Sequence, residues 1–397
     1  MRTTHFTLTA RDVQLHTTHV LQSHLKLRDH GPKCRASTLW AVLCWAAARL
    51  ASIAAACANL VNAPCDQATR DALLATLPPL LELQRRINHA LADGLPQKLR
   101  RRRQPLAVDL VLIPYHGQPF DDPDEVYRGQ RKSGTSHFHA YATAYAIVKG
   151  QRWTLALTAV HKGEAMKEVL ARLLRRAAAC GVRPRYVLLD RGFYSVEVIR
   201  YLQAARYPFV MPVVRRGRKP KHPHGPSGTW VFFTWRRSGR GHHTLSDLKG
   251  RRHATVSIGV YCRRVGKQRH PQVLVYAYWG LQPRSLAWLR ETYRSRFAIE
   301  TTYRQLHQAR IRTSTRQPLL RLLFVAVALI LRNIWVWLHW EALARKRRGA
   351  RLVDLDQLCF RSMLVWLQHQ VEALLGNCDA VHTERSVPQW LVTGGCQ

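Results

Sequence analysis

The chain has 397 residues, with 62 lysines and arginines against 24 aspartates and glutamates, a formal charge of +38 and a sequence pI near 11.1. Hydrophobic residues make up 47%, enough for real cores, which excludes a disordered basic tail; the length fits roughly two to three domains. So large an excess of cations repels itself unless a polyanion is near, and nucleic acid is the commonest such partner, with an anionic membrane as the rival.

The first hundred residues read as helical, with Ala- and Leu-rich stretches at Ser37 to Val61 and Gln67 to Ala92 and no strand-type alternation. The opening MRTTHFTLTARDV has no apolar run after its first arginine, so secretion is not expected. Nine cysteines, an odd number without a C-x-x-C pair, are expected to be reduced core residues of a cytoplasmic, nucleoid-associated protein. The helical region closes on Lys98-Leu99-Arg100-Arg101-Arg102-Arg103, which reads either as a solvated linker or as a phosphate-contacting run, and which marks a domain boundary near Arg103.

From Pro105 the texture becomes β-like. Leu106 to Ile113, Phe138 to Val148 and Arg152 to Val160 are predicted strands, the last two joined by a tight turn at Lys149-Gly150-Gln151. Glu164 to Cys180 has the 3.6-residue apolar period of an amphipathic helix and stops at Gly181. A strand at Tyr186 to Asp190, a helix from about Ser195 to Ala205 and a strand at Pro208 to Val213 follow. The order β-β-β-α-β-α-β predicts a mixed α/β, ribonuclease-H-like core. Residues 215–282 are basic and strand-like, with runs at Thr229 to Trp235, Ala254 to Arg263 and Gln272 to Tyr278, and read as an inserted β-rich module. A helix over about Ser285 to Arg310, an apolar segment from Leu319 to Trp340 and an amphipathic helix within Leu352 to Leu375 complete the chain. The longest apolar run, Leu322 to Leu331, lies between Arg321 and Arg332; it has about half the length of a spanning segment, so a buried helix and no membrane partner are expected. The expected division is a helical, DNA-binding part at 1–103, a catalytic core at 104–214 and 283–345, the insertion at 215–282 and a helical segment at 346–397.

Acidic residues are scarce, so those that interrupt apolar strands are informative. Asp109 sits within Val108-Asp109-Leu110-Val111-Leu112, and Asp190 ends Val187-Leu188-Leu189-Asp190. A carboxylate in such surroundings has to be paired, hydrogen-bonded or metal-bound, and pairing with an arginine is the plain alternative to a metal. Helical spacing supplies a third acid: Tyr293, Arg296, Glu300, Arg304 and His307 follow one another at intervals of three or four and share a face, either as a metal ligand flanked by phosphate-binding cations or as a solvent-exposed ladder of ion pairs. Two carboxylates from neighbouring strands and one from a helix make an oxygen-rich site suited to Mg²⁺ or Mn²⁺, able to serve both sides of a phosphodiester without a histidine or cysteine nucleophile. Other clusters carry less. Asp121, Asp122, Asp124 and Glu125, with Pro123 among them, read as a solvated turn; His222, His224, His242, His243, His253 and His270 lack zinc spacing with Cys262 and read as surface or DNA-facing. Trp230 and Trp235, interleaved with Arg236, Arg237 and Arg240, suit either base stacking or packing on a small sheet.

Asp190-Arg191-Gly192-Phe193-Tyr194 resembles the D-x-G-x-[FY] signature of DDE transposases of the insertion-sequence-four type, and Tyr293 to His307 is similar to their Y-x2-R-x3-E-x6-K signature, with His307 in place of the lysine. Asp109 resembles the first acid. The likeness spans about Leu106 to Trp340. It implies a ribonuclease-H-like core, catalytic metal ligands Asp109, Asp190 and Glu300 holding Mg²⁺ or Mn²⁺, cleavage at the ends of a mobile element, joining of the freed 3′-OH to target DNA, and a homodimer that pairs two double-stranded ends. Tyr293, Arg296, Arg304, His307 and Arg310, with the basic stretch Arg215, Arg216, Arg218 and Lys219, are the expected DNA contacts. The rivals are a nuclease of the same fold that cuts without joining and a DNA-binding derivative without catalysis.

Overall fold

The computed structural model describes residues 7–117, 126–148, 151–217, 228–263, 272–297, 305–347 and 350–380. The N-terminal region is helical as expected. α1 (Ala10–Leu25) starts at a reciprocal cap in which Thr9 and Asp12 each bond the other's backbone, and α2 (Ala36–Arg49) is apolar on nearly every side and lies buried. The predicted stretch from Ser37 to Val61 is broken at Leu50, which takes a left-handed φ of 55°, and Ser52 then caps α3 (Ile53–Asn59). α4 (Asp66–Thr76), α5 (Leu80–Ala92) and the short α6 (Gln97–Arg101) follow.

The sheet begins with β1 (Gln104–Pro114), β2 (Tyr127–Lys132), β3 (Thr135–Val148) and β4 (Gln151–Val160). β2 is a strand that periodicity missed, since Arg-, Gly- and Lys-rich YRGQRK has no apolar alternation. Then come α7 (Met166–Ala179), β5 (Pro184–Leu189), α8 (Val196–Ala204) and β6 (Phe209–Pro212), each within two residues of its predicted bounds. β7 (Gly239–Ser246), β8 (His253–Arg263) and β9 (Gln272–Trp279) complete a nine-stranded sheet in the order β2-β3-β1-β5-β6-β9-β8-β7, with β4 beside β3. β5 runs parallel to both β1 and β6, whereas β9 is antiparallel to β6, so the strands of residues 215–282 extend the central sheet. The run Thr229 to Trp235 is not a strand. Gly228–Phe233 forms a 3₁₀ turn, closed by the Thr229 hydroxyl, which donates to the Val214 carbonyl at 2.6 Å and accepts from the Arg216 N–H at 2.8 Å.

The helix expected over Ser285 to Arg310 is described as α9 (Leu286–Arg294), capped by Ser285, a 3₁₀ turn at Ser295–Phe297 and, beyond residues 298–304, a helical turn at 305–308. α10 (Pro318–Leu338) and α11 (Phe360–Leu375) end the fold. α10, with the turn that continues it to Leu343, is long and apolar enough to cross a membrane, but 94% of its most apolar stretch is buried within the protein. Its polar side chains also find protein partners: Asn333 bonds both the N–H and the carbonyl of Thr154 and the carbonyl of Leu91, and Arg332 donates to the Arg152 carbonyl at 2.7 Å. Asn88 of α5 bonds Leu157 of β4 in the same way, so the N-terminal helices are fastened to the sheet. Of the eight described cysteines Cys34 and Cys44 are buried and Cys57, Cys180 and Cys262 are half-buried against the core, so the core reading fails for the exposed Cys65, Cys359 and Cys378.

Candidate active site

Alternation along the strands divides the sheet into two faces. Leu106, Val108, Val187 and Leu189 point into the large core against the helices, while Ala107, Leu188 and Val210 point to the other face, where Tyr276, Tyr278, Leu289 and Tyr293 form a smaller core. Asp109 lies two residues beyond Ala107 and Asp190 two beyond Leu188, on the face of the smaller core. Because Val108 pairs with Leu189 in parallel register, both acids follow the last pair of the β1–β5 ladder and emerge side by side.

α9 crosses this face. Leu289 packs over Gly259 of β8, where a Cβ would come within 2.5 Å of the leucine methyl, so the helix approaches the strand closely because the residue is glycine. That seat buries Tyr293, whose ring lies 5.1 Å from that of Tyr276, and the following turn delivers Arg296. The Arg296 guanidinium, 7% exposed, donates to Oδ2 of Asp109 at 3.0 Å, to Oδ1 of Asp190 at 3.5 Å and through Nε to the Tyr293 hydroxyl at 3.0 Å. One cation thus reaches both carboxylates.

Burial pushes the Asp109 carboxyl up to about 6, opposed chiefly by the charge of Arg296 and by the Leu110 N–H, which donates at 2.8 Å. Asp190 is the more open of the two, with 42% of its side chain exposed. Burial likewise raises the Tyr293 phenol above its ordinary value, so it is neutral at pH 7.

A cavity of about 710 Å³ opens beside the acids, lined by Asp190, Arg191, Arg215, Arg290, Tyr293, Arg294 and Arg296. Arg215 stacks on Trp230 and Phe233, at 5.1 and 4.8 Å from the ring centres, so Trp230 packs locally and holds a cation at the rim. Arg216 serves the scaffold, donating to the Tyr194 carbonyl at 2.7 Å and covering its ring, so it pins the turn after Asp190. His307 follows on the turn 305–308; desolvation, then Arg310 and Lys132, hold its imidazole below the ordinary histidine range. Arg310 has a buried Nη1 with no hydrogen-bond partner among the described residues. Glu300, Arg304, Arg218 and Lys219, and the turn at Asp121 to Glu125, lie outside the described residues. Sequence reading missed Arg290 and Arg294, because one charged helix face looks the same whether it meets solvent or a cavity.

A family model described as "Transposase DDE domain" matches residues 100–334, more than half the chain, and takes in Asp109, Asp190, Tyr293, Arg296 and Glu300. The chain belongs to this transposase family. Membership assigns it to DNA transposition and recombination as a nuclease and transferase, in a family that generally works with divalent metals. The fold is similar to that in a cryo-EM structure of the piggyBac transposase synaptic complex with hairpin DNA, with a TM-score of 0.55 and 11% identity over 91% of this chain and 77% of that one. That likeness bears on the fold, a mixed α/β ribonuclease-H-like architecture. The NurA nuclease from Sulfolobus solfataricus aligns at 12% identity over 54% of this chain and 82% of its own, but at a TM-score of 0.27 it carries no argument. No curated protein sequence matches the chain.

Proposed function

We propose that this transposase belongs to the insertion-sequence-four type, cleaves double-stranded DNA at the ends of its mobile element and joins the freed 3′-OH to target DNA, acting as a homodimer that pairs two ends. The observation that carries this reading is the emergence of Asp109 and Asp190 from neighbouring parallel strands, bridged by one guanidinium beside a cavity rich in arginine.

The residues present fit a divalent cation. Both acids are oxygen donors, the Asp109 side chain is largely buried, and the two carboxylates lie close enough for one Arg296 guanidinium to bond both through separate nitrogens, which supports the reading. Asp109 and Asp190 would hold Mg²⁺ or Mn²⁺, with Glu300 as the third ligand. When bound, such ions supply charge that favours attack on a phosphodiester and departure of its 3′ oxygen. The chain's own groups do the rest. Arg191, Arg290 and Arg294 place phosphates in the cavity, Arg296 and neutral Tyr293 orient the scissile group, and Arg304, His307 and Arg310 are further candidate phosphate contacts. Arg215 adds a cation to the same cavity, and Arg218 and Lys219, next in the sequence, are further candidate phosphate contacts.

The test is incubation of the purified chain with Mg²⁺ and the inverted repeats that flank its own gene. The parent nicks and joins these ends, and Asp190→Ala binds them with nearly unchanged affinity but does neither. Nicking by that variant at the parent's rate would remove Asp190 from the metal site, and nicking without joining by the parent would favour a simple nuclease.

A further inference from the structure

The run Lys98 to Arg103 is not needed by the site described above, and the fold gives it a fixed place. Leu99 is buried and anchors α6; Gln104 folds back to bond the carbonyls of Lys98 and Arg102, and its N–H donates to the Arg183 carbonyl at 2.8 Å. Gln104 and Pro184 open the parallel strands β1 and β5 side by side, so the segments that precede them, with Arg100 to Arg103 on one and Arg183 on the other, converge at one end of the sheet. Arg185 adds a further exposed guanidinium there. Between α5 and α7, Arg100 and Arg176 border a cavity of about 300 Å³ together with His89. Among the described residues, no carboxylate pairs with any of these arginines. This cluster opens the strands, whereas Asp109 lies five residues further along β1, about 17 Å away at the rise of a strand.

We propose that this arginine cluster, at the end of the sheet opposite the carboxylates, is a second DNA-binding surface that grips the phosphate backbone of a duplex stretch distinct from the one at the acids. Duplex DNA is the occupant that fits: the cations are numerous, exposed and unopposed, they are held on a rigid strand origin, and their cavity has the size for a phosphate group. The inference rests on the proposed function for its partner, and it adds where a further stretch of that partner lies.

The triple variant Arg101→Gln/Arg102→Gln/Arg103→Gln, in the full chain, tests it. These side chains are exposed, so the melting temperature should match the parent's. Fluorescence anisotropy is read across a salt series with two probes, a short duplex ending at the element terminus and a long duplex extending well beyond it. On the long duplex, loss of three phosphate contacts should lower the slope of log affinity against log salt by about 2.7, so that between 50 and 200 mM salt the variant loses about fortyfold less affinity than the parent. On the short duplex the two slopes should agree. Equal slopes on both probes overturn the second surface, and an equal drop on both overturns its separateness, since the arginines would then touch the stretch at the acids. A parent that binds neither probe removes the proposed function itself, which distinguishes that failure from a failure of the patch.

Discussion

Replacing Arg296 with methionine, in buffer free of divalent cations, should destabilise the protein in a manner that depends on pH. The guanidinium is 7% exposed and bonds an Asp109 carboxylate that is mostly buried, so its removal leaves an uncompensated charge, a loss of about 3 kcal/mol at the lower end of the range for broken buried pairs. Asp190 contributes little, because water reaches 42% of its side chain. The pH dependence follows from Asp109, whose carboxyl stands at about 6 in the folded parent against an ordinary 3.8. A raised carboxyl binds its proton more tightly in the folded state, so stability falls as pH rises from about 4 to about 6, and then levels once the folded group has ionised. Without Arg296 the folded group should titrate higher still. Parent and variant then share the same decline up to pH 6, and above it the variant alone continues to lose stability, by up to about 1.4 kcal/mol per pH unit. Thermal melts of both proteins from pH 5 to pH 8 test this: the gap should be narrow and constant below pH 6 and widen by several degrees towards pH 8. A gap that stays constant across the whole range would mean that Arg296 does not neutralise Asp109, and the geometry of the site would have to be read differently.

Three further outcomes follow from the packing. Gly259→Ala places a methyl 2.5 Å from Leu289, so α9 must shift; a loss of about 1–3 kcal/mol in thermal melts should accompany a fall of at least about tenfold in metal-dependent nicking, because Tyr293 and Arg296 ride on that helix. Asn333→Leu removes three hydrogen bonds inside the core and strands the Thr154 backbone, which should cost about 3 kcal/mol or more in denaturant unfolding without altering DNA affinity in the surviving folded fraction. His307 is held below the ordinary histidine range in the free protein, so contact with phosphate requires proton uptake on binding; end affinity should fall as pH rises through neutrality, and His307→Lys should flatten that profile. Identical profiles for parent and variant would make Arg310, whose Nη1 has no partner among the described residues, the better phosphate ligand.

What could be read from the sequence followed from strong local signals. Asp109 stood out because a charge inside VDLVLI has no place in a strand without a partner, and Asp190 because it ended an apolar run in a chain poor in acids. Helical spacing correctly put Tyr293 and Arg296 on one face, but it could not distinguish a face turned to solvent from one turned towards the acids, since that depends on where the helix lands. The landing is set by long-range pairing. Residues 215–282 read as an inserted β-rich module, and in the fold β9 pairs antiparallel with β6 and so returns the chain, at Trp279, to the end of the sheet where β6 begins. From there α9, nine residues or about 13 Å long, runs back over the tyrosine face and brings Arg296 to the opposite end, where β5 releases Asp190. The sheet extension is therefore the means by which the third element of the site reaches the first two. No pattern local to residues 286–297 contains that information, because it resides in the Phe209–Trp279 register and in the missing side chain of Gly259.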